Sequence, residues 1–254
     1  MWQNYLDLVE TIGSRYFFIA GLFFVLFYVL FKKNKRFRKL QPKMPQRKDY
    51  AREIGYSLLT ISIFALVPLC ILDVPSIARH TTFYKEIHQY GWLYFFLAFP
   101  LMFVLHDAYF YWTHRLMHHK KLFRLFHLVH HKSTNPSPWA AYAFHPLEAV
   151  VEAGIFPLFL FTIPIHFLHL FLFFLLMIVY NVYGHLGYEL YPNGFNKTWF
   201  GKWINTSTSH NQHHQYFKGN YGLYFTFWDR VMGTLRTDYD QRFDDITLRK
   251  KKGT

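Results

Sequence analysis

The sequence predicts an all-α integral-membrane fold: four to five transmembrane helices, capped on the cytoplasmic side by a helical, histidine-rich region. Three observations lead to that expectation. Five apolar runs punctuate the chain, basic residues gather directly after the first of them, and 14 of the 16 histidines fall between His106 and His214.

The first run, 17–31, is closed by Lys32-Lys33; with residues 12–16 in front it approaches the ~20 residues that cross a bilayer. The second, 58–72, contains Pro68, which a membrane helix tolerates as a kink. The third, 92–105, is carried past His106 and Asp107 by Tyr109, Phe110, Tyr111 and Trp112. Runs 150–161 and 167–183 are separated by five residues that include Pro164, so they read as an antiparallel hairpin. Nine basic and no acidic residues lie from Lys32 to Lys48, and Arg249 to Lys252 are basic again. Positive flanks mark the cytoplasmic side. With the basic loop inside, alternation of the helices brings His114, His145, His185 and His210 out at that same face. Three regions are expected: an N-terminal transmembrane part with a basic loop (1–91), a domain that carries most of the histidines (92–240) and a basic tail (241–254).

Composition agrees. Hydrophobic residues make up 52% and aromatic ones 22%, while charged residues reach 17% against roughly 25% in a soluble domain. The net charge of +13 sits in membrane-flanking blocks suited to anionic lipid head groups, so nucleic-acid binding is not expected. The basic block follows the apolar stretch, which is not the order of a cleaved signal peptide. The single cysteine, Cys70, excludes an intramolecular disulfide and a cysteine-rich metal site. Any metal must then use His, Asp or Glu.

Histidine spacing is the chemical signal. His114 and His118 stand one helical turn apart, and His106 lies eight residues earlier on roughly the same stripe. His127, His130 and His131 follow an i, i+3, i+4 pattern, as do His210, His213 and His214, so each triplet is expected to aim two or three nitrogens at one small volume. His80, His88, His166 and His169 read as satisfied polar residues. Unpaired imidazoles gathered in one place are costly, and a metal turns that cost into binding. Imidazole suits Fe, Zn, Cu and Ni alike. About a dozen histidines exceed one structural zinc site, which favours two metals with mainly nitrogen ligands, redox iron first among them. A membrane metal transporter, the rival from another class, would need polar residues along a path through the bilayer, whereas these spans are almost wholly apolar.

From His106 to Thr234 the motifs resemble the fatty acid hydroxylase and sterol desaturase superfamily. They run His106-Asp107, Phe110-Tyr111-Trp112-Thr113-His114-Arg115, His118-His119, His127, His130-His131-Lys132-Ser133, Pro136-Ser137-Pro138-Trp139 and Ala143-Phe144-His145-Pro146-Leu147-Glu148. They resume at Gly184-His185, Thr208-Ser209-His210, His213-His214, Asn220-Tyr221-Gly222 and Phe227-Trp228-Asp229-Arg230. The aromatic first box and this ending look most like the sterol C5-desaturase branch, while the N-terminal third matches only in being apolar.

The resemblance implies a di-iron centre with O2 as co-substrate, acting on a membrane lipid by hydroxylation or desaturation. The lipid is expected to be sterol-like, with a fatty-acyl, sphingolipid or carotenoid hydroxylase as the alternative. The implied ligands are His106, His114, His118, His127, His130, His131, His145, His185, His210, His213 and His214; His119 is either a ligand or a group that orients one. Asp107, Glu148, Glu189 and Asp229 are expected to hold imidazole N–H groups, although Asp229 could instead pair with Arg230. Trp139, Arg115, Lys132 and Arg230 are candidates for contacts with substrate or electron donor. No dinucleotide-binding or haem motif is visible, so electrons are expected from a separate cytochrome b5 or ferredoxin with its reductase. The ending Lys251-Lys252-Gly253-Thr254 has the shape of an endoplasmic-reticulum retrieval signal, and a bacterial inner-membrane protein could end identically.

Overall fold

Four long apolar helices cannot be covered by the chain itself, and the fold leaves much of their surface facing outward. In the computed structural model, which describes residues 1–249, four helices are long and apolar enough to cross a membrane. Residues 250–254, the end of the predicted basic tail and the retrieval-like ending, lie outside the described residues. The first span is α1 (Trp2–Phe24), prolonged by a π-helical segment, Val25–Leu30. Next comes α2 (Arg47–Leu72), opened by a reciprocal cap between Gln46 and Asp49. A short α3 (Pro75–Ala78) and β1 (Phe83–Tyr84) lead to α4 (Gly91–Met117). Helices α5 (Phe123–Phe126) and α6 (Leu128–His131) follow, then a 3-10 segment, Pro138–Tyr142. The hairpin comprises α7 (Pro146–Ala153), α8 (Ile155–Thr162), β2 (Ile165–His166) and α9 (Phe167–Gly184). The cap is completed by α10 (Ser207–Tyr216), α11 (Phe227–Val231) and α12 (Tyr239–Thr247).

Side chains such as Phe18 (72% exposed) and Leu93 (77%) point away from the bundle, which only a hydrocarbon solvent favours. Two boundaries differ from expectation. The first helix begins at Trp2, ahead of the apolar run. The run at 150–161 is broken: the backbone at Gly154 separates two eight-residue helices. The break has a packing cause, since the Tyr109 hydroxyl of α4 donates to Val151 O at 2.6 Å and a Cβ on Gly154 would collide with that hydroxyl. The hairpin turns as expected near Pro164, where β1 and β2 pair in parallel and His169 Nε2 bonds Phe95 O at 2.9 Å.

The N-terminus of α2 and the C-terminus of α9 lie at the same end of the bundle as the basic 32–48 segment. That segment is tied to the residues after α9 by Leu40 N→Gly187 O and Glu189 N→Arg38 O, each 3.0 Å. Gln41 reaches α10 through Asn211. The basic loop and the cap therefore occupy the same end, as the charge pattern predicts. Beneath the cap, an apolar cavity of about 460 Å3 runs between α1, α2, α8 and α9, within the size range of ligand sites. Leu8, Leu72 and Phe167 line its far end, and Phe144, Asn181 and Leu223 its cap end.

Candidate metal centre

Nine imidazoles converge at the cap end of the spans. His114, His118, His127, His131 and His213 form one group, and His130, His185, His210 and His214 a second; within each, one ligand atom per residue lies within 4.8 Å of all the others. Each triplet sends two nitrogens to one volume, as the spacing predicts, and its third member to the other. Both divide. His127 and His131 enter the first group and His130 the second; His210 and His214 enter the second and His213 the first. Helical geometry explains it: residues four apart share a face, whereas adjacent ones diverge by about 100°. Two short helices, α6 and α10, thus each serve both groups and hold them side by side.

The Nε2 atoms face one another. In the first group His114–His127 is 2.9 Å, His131–His213 3.0 Å and His118–His131 3.1 Å. In the second, His185–His210 is 3.0 Å, His185–His214 3.1 Å and His130–His185 3.3 Å. The opposite nitrogens decide what these contacts are. His114 Nδ1–H donates to Tyr221 O (2.8 Å), His213 to Gly219 O (2.8 Å), His185 to Asn181 O (2.8 Å) and His214 to Ser133 O (3.0 Å). His127 Nδ1–H donates to Glu148 Oε1 at 2.6 Å. Carbonyls only accept, so the proton sits on Nδ1 and each Nε2 presents a bare lone pair. Lone pairs aimed at one another repel unless a cation lies between them. Nitrogens about 2.1 Å from a metal sit about 3.0 Å apart in octahedral and about 3.4 Å apart in tetrahedral arrangements, the range seen here. Burial pushes His118 down to about 2, with His114 adding to the effect, and His185 down to about 4, so both stay neutral and able to ligate at neutral pH. The two groups are suited to hold metal ions.

Other candidates occupy different places. His106 stands outside both groups, on the cavity wall, with Nδ1 2.9 Å from the Tyr224 hydroxyl. His145 caps α7, accepting from Leu147 N, and His119 is exposed at the turn after α4. Eight residues from His106 to His114 span about 12 Å of helix, too far for both to reach one ion. Of the four acids, only Glu148 touches a clustered histidine. Asp107 accepts from Tyr224 N and Phe225 N, and Glu189 from Thr208 at the start of α10. Asp229 accepts from Tyr221 N (2.9 Å), Gly222 N (2.8 Å) and Thr234 Oγ1 (2.7 Å). It thereby fixes the loop whose Tyr221 carbonyl holds His114, and among the described residues it makes no ion pair with Arg230. Arg230 instead donates to Lys202 O, and Arg115 to the Tyr111 hydroxyl. Lys132 is exposed, and Trp139 packs on Tyr16 and Phe24 of α1, away from the cavity. Histidine spacing could not reveal the carbonyls of Tyr221 and Ser133, because they lie on loops far away in sequence.

A family model, fatty acid hydroxylase, matches residues 99–234, more than half of the chain and all nine clustered histidines. The chain belongs to the fatty acid hydroxylase family. Among curated relatives of this fatty acid hydroxylase family member is a Delta(7)-sterol 5(6)-desaturase of Gibberella zeae, 29% identical over 97% of this chain and 74% of the relative. Lathosterol oxidase of Rattus norvegicus is 29% identical over 90% and 73%, and that of Homo sapiens 27% over 90% and 74%. The similarity extends through the N-terminal third, where motif reading shows only apolarity. No solved structure matches the chain. As a member of this family the protein is a membrane-embedded, lipid-modifying oxidoreductase of the sterol C5-desaturase branch.

Glu148 invites a test. Replacing it with leucine removes the acceptor that orients His127, and such partners are worth 10–100-fold in metal affinity, so about that loss is expected in a competitive chelator titration. An unchanged affinity would show that His127 needs no orientation.

Proposed function

We propose that this protein is an O2-dependent di-iron enzyme that introduces a double bond into a membrane sterol, with its active site on the cytoplasmic face. The observation that carries the reading is the two histidine groups standing at the end of a lipid-sized cavity. Phe144, on the cavity wall, packs 5.1 Å from the His130 ring, and Asn181, also on the wall, accepts from His185. A substrate in the cavity is thus presented to the second group from below.

Five imidazoles, His114, His118, His127, His131 and His213, hold one ion, and His130, His185, His210 and His214 the other. All-nitrogen donor sets suit iron, and no carboxylate lies within either group. Bound iron supplies the oxidising power to remove hydrogen from an unactivated C–H bond, which side chains lack. The protein's part is positional. Glu148 and the carbonyls of Tyr221, Gly219, Asn181 and Ser133 lock the ligand tautomers. Phe110, Phe173 and Phe156 keep the reacting region dry. In the overall reaction O2 takes two hydrogens from a carbon–carbon bond and two electrons with two protons from the donor, giving an alkene and two waters. The electrons come from a separate cytochrome b5 or ferredoxin with its reductase, which the basic cap end suits by charge. The catalytic domain is 92–240, and the compartment is the endoplasmic reticulum or a bacterial inner membrane.

Support comes from the desaturase and oxidase names of the relatives and from the cavity's place beneath the imidazoles. Expression in cells lacking a sterol C5-desaturase, followed by mass spectrometry of the lipids, is expected to yield the 5(6)-unsaturated sterol. Accumulation of a hydroxylated acyl chain or carotenoid with unchanged sterols would transfer the protein to the alternative reading.

A further inference from the structure

Two ionisable side chains border the apolar cavity, and neither has a hydrogen-bond or ion-pair partner among the described residues. Arg15 on α1 lies over the Phe171 ring at 5.3 Å, toward the far end. Glu152 is the cavity's single carboxyl. It follows Glu148 by one turn of α7, about 6 Å along the axis, so it stands near the cap end, with Glu148 in contact with His127 and Glu152 facing the cavity. A carboxyl enclosed by protein at membrane depth, with no donor beside it, is expensive and marks a function by default. The side chain is not spent on structure: helix α7 is capped by His145 and packed by Ala149 and Ala153 without it.

We propose that Glu152 accepts a hydrogen bond from the hydroxyl of a neutral hydroxylated lipid, seating it hydroxyl-first with its hydrocarbon tail toward Leu8, Leu72 and Phe167. This rests on the sterol reading above and adds orientation and head-group class to it. The chemistry requires that orientation. A sterol carries one hydroxyl, on a carbon two bonds from C5, so a reaction at C5–C6 places the hydroxyl near the metal end. One carboxyl at the cap end of the wall, with Arg15 toward the other end, matches one hydroxyl. Glu152 is on this account a specificity-determining residue of the binding site and belongs to neither histidine group.

The test uses the iron-loaded protein in nanodiscs, with a Delta(7)-sterol bearing a free hydroxyl and its 3-O-methyl ether. Direct binding and the KM-against-kcat split are measured for wild type, Glu152→Leu and Glu152→Gln. A site built around a hydroxyl rejects the analogue lacking it strongly, so wild type is expected to prefer the free hydroxyl by roughly 100-fold in Kd. Glu152→Leu is expected to erase that preference through Kd and KM, with iron content unchanged and the ether bound as before. Glu152→Gln, which still accepts, is expected to retain most of it. Equal binding of the free sterol by wild type and Glu152→Leu, or no preference over the ether in wild type, overturns the proposal. Because leucine in an apolar cavity is readily accommodated, unfolding is not the expected outcome; should it occur, the Gln variant decides, since loss of preference there with intact binding of the ether also contradicts an acceptor role. Failure of wild type to bind either sterol removes the sterol reading itself, an outcome distinct from a failure of Glu152.

Discussion

Replacing His130 by alanine is expected to abolish turnover and to remove about half of the bound iron. His130 is one of only four imidazoles in the second group, and its ring sits 5.1 Å from both the His185 ring and the Phe144 ring that faces the cavity. With it gone, three nitrogens remain and the ion nearest the cavity loses a ligand that no neighbouring side chain can replace. His106→Ala is the matched control. His106 bonds Tyr224 and lies outside both groups, so iron content should stay at the wild-type level even if substrate placement suffers. Iron quantified per chain in correctly inserted protein checks both. Full iron and activity in His130→Ala would remove that residue from the centre, and loss of iron in His106→Ala would show that the ligand set is drawn too narrowly.

Chelation is expected to unfold the cap well before the membrane helices. Without cations, five Nε2 lone pairs are held at the crowded centre by their Nδ1 hydrogen bonds, so the metal-free state carries their repulsion. An ion at a thousandfold above its Kd adds about 4 kcal/mol of stability. Two such ions, at roughly 2–4 °C per kcal/mol for a chain of this size, correspond to a drop of roughly 15–30 °C in Tm. Tryptophan fluorescence is a suitable probe because Trp203 and Trp228 lie in the cap, next to α11 and the residues before α10. A chelated protein that melts with the metal-loaded one would mean the histidines are satisfied in some other way.

Much of this was legible beforehand, for physical reasons that can be named. Apolar runs report solvent directly, so four spans and the Pro164 hairpin could be read; the interruption at Gly154 could not, because it depends on a tyrosine from a distant helix. Spacing by four identified His114 with His118, His127 with His131 and His210 with His214 as shared-face pairs. It could not say that the odd member of each triplet crosses to the other group, since α6 is only four residues long and its orientation is set by packing. Family motifs place His106 and His145 among ligands, yet motif order carries no distance, and the fold seats them on the cavity wall and at a helix cap. Glu152 was overlooked inside the apolar run 150–161. Its signal was present: an acid within an apolar stretch, one turn after Glu148.

The centre itself is most directly tested by elemental analysis of protein purified without oxygen, paired with O2 uptake on addition of sterol, donor and reductase. Two irons per chain and uptake matched to product formation are predicted. A chain that holds a single metal, or that turns over at full rate after its metal is stripped, would contradict the pairing of two histidine groups as one oxidising centre.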